Sequence, residues 1–393
     1  MALVSELALA LHRCGAPAHH LEEAVTELLA IYDADGAVAA SPTALWLQVG
    51  DRTRVLRLSP REVDLSRLGT LSALARWRAE LAARPVSARR ASRGLDAVMR
   101  APAPWSARAQ RWAFVVASAT GGALIGGTLT DAVAGGAGGE LVRRALGLLA
   151  ARPQWAPLSD GLVALLAGLF GGLCALLGAS PQAVSLAAVI ILLPGLSLTV
   201  STAEIAAGQW VAGGTRLLGV LSCLLQLAAG LAVGLHLTGG AAALAPFAGA
   251  VALPPTLQVA LLMVAPLSFA VLCGCAWRES LAVVLLGTLG FLAASAVGGL
   301  AGTAAGAALI GLGASASERV GGGPALVVLV PAVLLLVPGS VGVRGMDLLL
   351  AGAVVEGLGV ALQALGTASV IAAAALATSA LLRGSYSPSI QAR

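Results

Sequence analysis

Few groups in this chain could do chemistry at membrane depth. Two proline-glycine pairs, Pro194-Gly195 and Pro338-Gly339, each interrupt a long apolar run. Proline withholds an amide and clashes with the preceding turn, so a helix must open there. Opened backbone survives in lipid only where protein or a wet cavity covers it. The first break is followed by Ser197, Thr199, Ser201, Thr202 and Glu204, and the second by Ser340, Arg344 and Asp347, which makes both stretches candidate binding elements. Amides freed at the start of a half-helix hold an anion without any charged side chain. Arginine adds a fork that matches a carboxylate. Arg216, twelve residues beyond Glu204, either pairs with that acid or receives a bound carboxylate; the plainer reading makes it a topology residue at the inner face. Arg344 and Asp347 stand in the same relation after the second break.

The acids suggest proton handling. Glu356 sits in GAVVEGLGVALQALG, with apolar residues for more than a turn on either side. A charge at such depth costs roughly 2.5–3.5 kcal/mol on insertion scales, which suits a carboxyl that exchanges a proton. The competing position is a helix end bathed by headgroups. Glu204 and Asp347 are further proton-coupling candidates. So is Asp131, in GGTLTDAVAGG, which reads either as a turn acid at the outer surface or as a proton entry group. No cofactor or metal site is expected. His19 and His20, with Glu22 and Glu23 beside them, make an apparent metal cluster, but adjacent residues do not share a helix face and a solvated surface is the reading taken; Cys273-Gly274-Cys275 lacks the second ligand pair of a zinc site. All 24 basic residues are arginine, so a Walker A lysine is impossible and ATP-driven pumping by this chain alone is excluded.

What must position these groups is a membrane protein. Of 393 residues, 58% are hydrophobic and 11% charged, far from the globular mean. Ten apolar runs fit as spanning helices, at roughly 112–130, 132–151, 158–178, 183–203, 212–236, 255–277, 279–300, 301–318, 324–343 and 346–382. The 49 glycines predict close helix packing through small residues. Residues 1–111 are different material, with fifteen Arg against eleven Asp and Glu. They read as a small soluble α+β domain. It has amphipathic helices at the start and over 18–32, strands over 37–49 and 53–58 joined by Gly50-Asp51, and a third helix from Asp64 with a stripe of Leu65, Leu68, Leu71 and Leu74. Seven arginines between 84 and 111 against the single acid Asp96 keep this domain cytoplasmic. Both termini are then inside.

The fold class expected is therefore mainly α, a polytopic helical membrane protein with a small N-terminal α+β domain. Ten spans divide into halves 112–240 and 241–393, with the breaks in the fourth and ninth. Five spans per half means that the halves cross in opposite senses, as inverted repeats, the arrangement that opens one site to each side in turn.

The residues also carry a family resemblance. CGAPAHHLEEAVTELLAIYDADGAVAASPTALWL, LLPGLSLTVSTAEIAAGQWVAGGTRLLG and AALIGLGASASERVGGGPALVVLVPAVLLLVPGSVG resemble, in order, the start and the two membrane signatures of the threonine/serine exporters. These are bacterial inner-membrane permeases whose single-chain forms join a cytosolic region to about ten spans. The resemblance implies secondary export of small hydroxy-amino acids coupled to the proton gradient. The implied partners are the amino-acid substrate, protons and membrane lipids, without nucleic acid; a homo-oligomer is compatible with them. The substrate would meet Pro194, Gly195, Ser197, Thr199, Arg216, Pro338, Gly339, Ser340 and Arg344. Two other readings stand beside it: a membrane-anchored hydrolase with a catalytic N-terminal domain, against which the domain shows no nucleophile elbow, and a permease for another small metabolite.

Overall fold

The computed structural model describes residues 1–40, 44–58, 64–124, 128–239 and 254–383. The N-terminal domain opens with α1 (Ala2–Arg13) and α2 (Ala18–Ile31), whose apolar stripes bury Leu7, Leu21 and Leu28 completely. Strands β1 (Gly36–Ala40), β2 (Ala44–Val49) and β3 (Arg52–Arg57) form an antiparallel sheet in that order. The single strand expected over 37–49 is thus two strands. Pro42, which has no amide to give a ladder, falls between them; residues 41–43 lie outside the described residues. Val49 pairs with Arg52 across the Gly50-Asp51 turn, the hairpin that the sequence predicts. Leu45 and Leu47 point into the core and Trp46 away from it, as strand alternation requires.

The third helix departs from its expected course. Asp64 caps a 3-10 turn over Leu65–Arg67, its Oδ1 accepting from the Ser66 amide at 3.0 Å and from Ser66 Oγ at 2.6 Å. Helix α3 (Thr70–Ala83) begins only after Gly69. Leu68, Leu71 and Leu74 are buried, but Leu65 is left out of the domain core and is 42% exposed. Helix α4 (Ala88–Arg100) follows, packing Ala91 and Leu95 inward and displaying Arg89, Arg90, Arg93 and Arg100.

The remaining helices are α5 (Ala107–Leu124), α6 (Leu129–Ala150), α7 (Ser159–Cys174), α8 (Pro181–Ala188), α9 (Gly195–Ala206), α10 (Trp210–Leu237), α11 (Pro255–Leu272), α12 (Trp277–Val297), α13 (Gly299–Arg319), α14 (Ala325–Val333), α15 (Gly339–Leu350) and α16 (Val354–Arg383). Among the described residues, five helical stretches are long and apolar enough to cross a bilayer, rather than ten: 154–177, 210–237, 277–297, 299–319 and 354–378. The bent pair α8 and α9, turning by 51°, makes a sixth. Helix α5 carries Arg108 and Arg111 near its start, and α6 carries Asp131, Glu140, Arg143 and Arg144. The residues from 325 to 350 are divided between helices of 9 and 12 residues. The ninth and tenth boundaries also move. Arg344 and Asp347 continue α15 as far as Leu350, instead of closing a span at 343, and the last helix starts at Val354 rather than 346.

Helices α5 to α8 pack among themselves, with α5 on α6, α6 on α8 and α7 on α8; α11 to α14 repeat those contacts as α11 on α12, α12 on α14 and α13 on α14. Helix α7 lies on α10, and α13 on α16. The two groups are interlocked, since α9 packs on α16 and α10 on α15, while α5 meets α11. The boundary expected between residues 240 and 241 lies outside the described residues.

Candidate functional site

Proline sets the geometry of the site. Pro194 (φ −78°, ψ 35°) and Pro338 (φ −82°, ψ 36°) adopt the same conformation, and each starts a helix of 12 residues. Both helices end at a left-handed glycine, Gly208 (φ 79°) or Gly352 (φ 83°). The first intrahelical bonds are Leu198 N to Pro194 O and Gly342 N to Pro338 O, both 2.9 Å. The amides of residues 195–197 and 339–341 therefore precede the hydrogen-bond ladder of their helices.

The two breaks touch. A Cβ placed on Gly195 would stand 3.1 Å from the Gly339 amide nitrogen, and one on Gly339 would stand 2.8 Å from the Leu193 Cβ. Only glycine fits such an approach. Beside this contact lies a cavity of about 790 Å³, lined by Leu193, Pro194 and Ser197 from the first break and by Val337, Gly339, Ser340 and Arg344 from the second. Phe114, Phe269 and Phe291 complete much of its apolar wall. Among the described residues lining it, Arg344 is the one that carries a charge.

Five of the nine binding candidates, Pro194, Ser197, Gly339, Ser340 and Arg344, thus line one space. Gly195 and Pro338 lie buried just behind it. Thr199 and Arg216 do not reach it. Thr199 Oγ1 donates to the Gly195 carbonyl at 3.1 Å, and Ser201 and Thr202 likewise donate to carbonyls of their own helix, the usual habit of hydroxyls in apolar helices. Arg216 grips Glu204 with both arms of its guanidinium, at 3.0 and 2.9 Å. Of the readings of that arginine, pairing with Glu204 is the one that the geometry displays, and it fastens α9 to the following helix.

The acids separate as well. Glu204 is buried against Arg216. Asp347 is buried within α15, one turn beyond Arg344. Asp131 is 2% exposed; its Oδ2 accepts from the Thr128 amide at 2.7 Å, and its Oδ1 from the Ser180 amide at 2.6 Å, so that it joins the starts of α6 and α8. Glu356 is the exception. It stands exposed in the first turn of α16, which begins eight residues later than expected; this is the helix-end position, the second of the two that the sequence allowed. Glu140 is an ionic hub gripped by Arg143, Arg144 and, across from α5, Arg111 at 2.9 Å.

Three residues escaped sequence reasoning. Glu279, buried at the start of α12, accepts from the Ala276 amide at 2.7 Å and from Ser72 Oγ of the N-terminal domain. Phe269 and Phe291 line the cavity from α11 and α12. With alanine rather than serine or threonine at position 276, the spacing to Glu279 is no capping-box signature, and nothing in sequence marked the phenylalanines. Among the described residues no group of three His, Cys, Asp or Glu side chains is arranged to hold a metal.

Comparison with known proteins yields two family models in sequence order. A threonine/serine exporter model matches residues 2–238. A second model, described as Threonine/Serine exporter, ThrE, matches residues 258–381. No curated protein and no solved structure matches the chain. The two matched stretches contain the N-terminal domain, both proline-glycine breaks and every residue brought to the cavity. The chain belongs to the threonine/serine exporter family.

Proposed function

We propose that this chain exports threonine, serine or a similar small amino acid across the bacterial inner membrane, by alternating access and in exchange for protons. The observation that carries the reading is the contact between the two breaks beside one cavity. A zwitterion needs an anion site and room for a small side chain. The starts of α9 and α15, which meet beside the cavity, both leave amides outside the helix ladder, where the positive ends of two helix dipoles favour a carboxylate. Arg344 supplies a bidentate partner from the same wall. Ser197 and Ser340 offer hydroxyls, one from each break, for a substrate's own polar groups.

Alternating access is supported by the correspondence between helices 5–10 and 11–16. The packing of α9 on α16 has its counterpart in α15 on α10, as a pseudo-two-fold axis between the breaks requires. The direction of crossing is opposite in the two halves. Trp105 Nε1, just before α5, donates to the Cys275 carbonyl at 2.7 Å, so the start of the first half meets the turn after the second half's first helix. Counting α5, α6, α11 and each broken pair as spans gives ten, with 1–111 as a cytoplasmic domain. Exposed Trp112, Trp155, Trp210 and Trp277 all then fall on the inner side, where tryptophan suits the interface. For proton coupling, Asp131 and Asp347 are, among the described residues, the buried carboxyls outside the Glu204–Arg216 pair and the Glu279 cap.

Proteoliposomes loaded with labelled threonine test the reading. An imposed proton gradient should drive threonine movement that collapses with an ionophore. Threonine that stays put under either orientation of the gradient contradicts export. A hydrolase would instead show turnover of an ester or peptide by the full chain without any gradient.

A further inference from the structure

The N-terminal domain does more than hang from the membrane part. Its core runs without a break into that of α11–α14, Leu68 and Leu71 joining one cluster with Cys273, Val283 and Val327. The contact has a defined seam. The Gly69 amide donates to the Cys273 carbonyl at 3.1 Å. A Cβ on Gly69 would fall 2.6 Å from the Gly274 carbonyl carbon, and Gly274 itself has φ +66°, so two glycines let the backbones interlock. One turn further along, Ser72 Oγ donates to the buried carboxylate of Glu279.

That bond has a counterpart. In the first half, Asp131 closes its helix start against Ser180, the cap of α8. In the second half, the corresponding acid, Glu279, takes its partner from the N-terminal domain. Just ahead of these fastenings, the 3-10 turn over Leu65–Arg67 carries Leu65 away from its own core and into the lining of the cavity that holds both breaks. An apolar side chain excluded from a domain core it would otherwise fill, and aimed into the transport cavity, is placed to obstruct it.

We propose that the N-terminal domain is a gate on that cavity, with Leu65 as its wedge and Ser72–Glu279 as its latch. Resting on the transport reading above, this assigns Ser72 and Glu279 as positioning residues that touch no substrate. Opening requires the seam at Gly69 and Gly274 to part, which bares the path from the domain's side to Ser340 and the breaks.

The test is access rather than activity. Ser340→Cys is introduced in the full chain, in sealed vesicles whose N-terminal domain faces the medium, and its modification by a membrane-impermeant methanethiosulfonate is followed by peptide mass. Ser72→Ala, which removes one hydrogen bond to a charged group, should speed modification about tenfold. Leu65→Ala should also speed it, and Leu65→Trp should slow it. Opposite signs at one position separate a gate from general loosening, which could only accelerate. Equal rates in all four backgrounds, or acceleration by both Leu65 variants, would overturn the gate. Threonine movement is measured on parallel vesicles of the chain with Ser340 intact, so that a cysteine in the substrate site does not itself stop transport. Altered labelling without transport would sink the export reading and leave the gate, whereas intact transport with unaltered labelling would sink the gate alone.

Discussion

At the scale of single residues, burial decides which polar groups are free to act. Arg344 lines the cavity while Arg216 is spent on Glu204, although both follow a break in the sequence. If Arg344 holds a carboxylate, Arg344→Gln should weaken threonine binding by roughly ten- to a hundredfold, the equivalent of one charge-assisted bond, while Arg344→Lys keeps part of it; concentration dependence of transport reads this directly. Arg216→Ala has a different signature. It strands a buried carboxylate and should cost about 3 kcal/mol of stability, measured as a fall in unfolding midpoint that Glu204→Gln in the same chain largely restores. In the N-terminal domain, burial pushes the Cys14 thiol up to about 11 from its ordinary 9.0. The folded chain keeps a proton that the unfolded chain gives up near pH 9, so the stability from this burial is present below that pH and lost as pH climbs toward 11. Alkylation of Cys14 should therefore stay slow at about pH 8 and rise steeply above pH 9. The sequence named Arg344, Ser197 and Ser340 because polar residues after a break stand out in apolar surroundings. It left Glu356 open between two positions because apolar neighbours look the same at a helix start as at mid-span.

At the scale of elements, the half-helices were legible because proline leaves a local mark and a glycine beside it signals close approach. Their ends were less so. Gly208 and Gly352 stop the two helices, and the second stop lies beyond Arg344 and Asp347, polar residues that imitate a loop. Close contact between the breaks predicts a specific intolerance. Gly195→Ala would drive a Cβ against Val337 and the Gly339 backbone, and Gly339→Ala against Leu193. Overpacking of this kind costs about 1–3 kcal/mol. Each variant should lose transport more severely than stability, as shown by comparing efflux rates with unfolding midpoints; Gly359→Ala, where open space surrounds the added carbon, should change neither. Leu65 illustrates a converse failure of pattern reading. It fits the leucine stripe in register but belongs to a 3-10 turn, and the cavity rather than the core receives it.

At the scale of the whole molecule, composition marked a membrane protein, and the arginine-rich flank before α5 carries the expectation that the N-terminal residues stay cytoplasmic. The number of spans was harder to read, because α5 and α6 carry buried or paired charges and the broken helices are short. Opposite crossing of the halves predicts that Leu177→Cys and Val320→Cys, both strongly exposed where a helical stretch ends, are labelled from opposite faces of intact vesicles, with Val320 on the face of the N-terminal domain. Labelling from one face would require a different topology. The central claim is that the two breaks together form one substrate site. Threonine protection of Ser197→Cys and of Ser340→Cys from thiol modification measures this most directly. Both cysteines should be protected with the same dependence on threonine concentration, and protection of one alone, or of neither, would contradict the shared site.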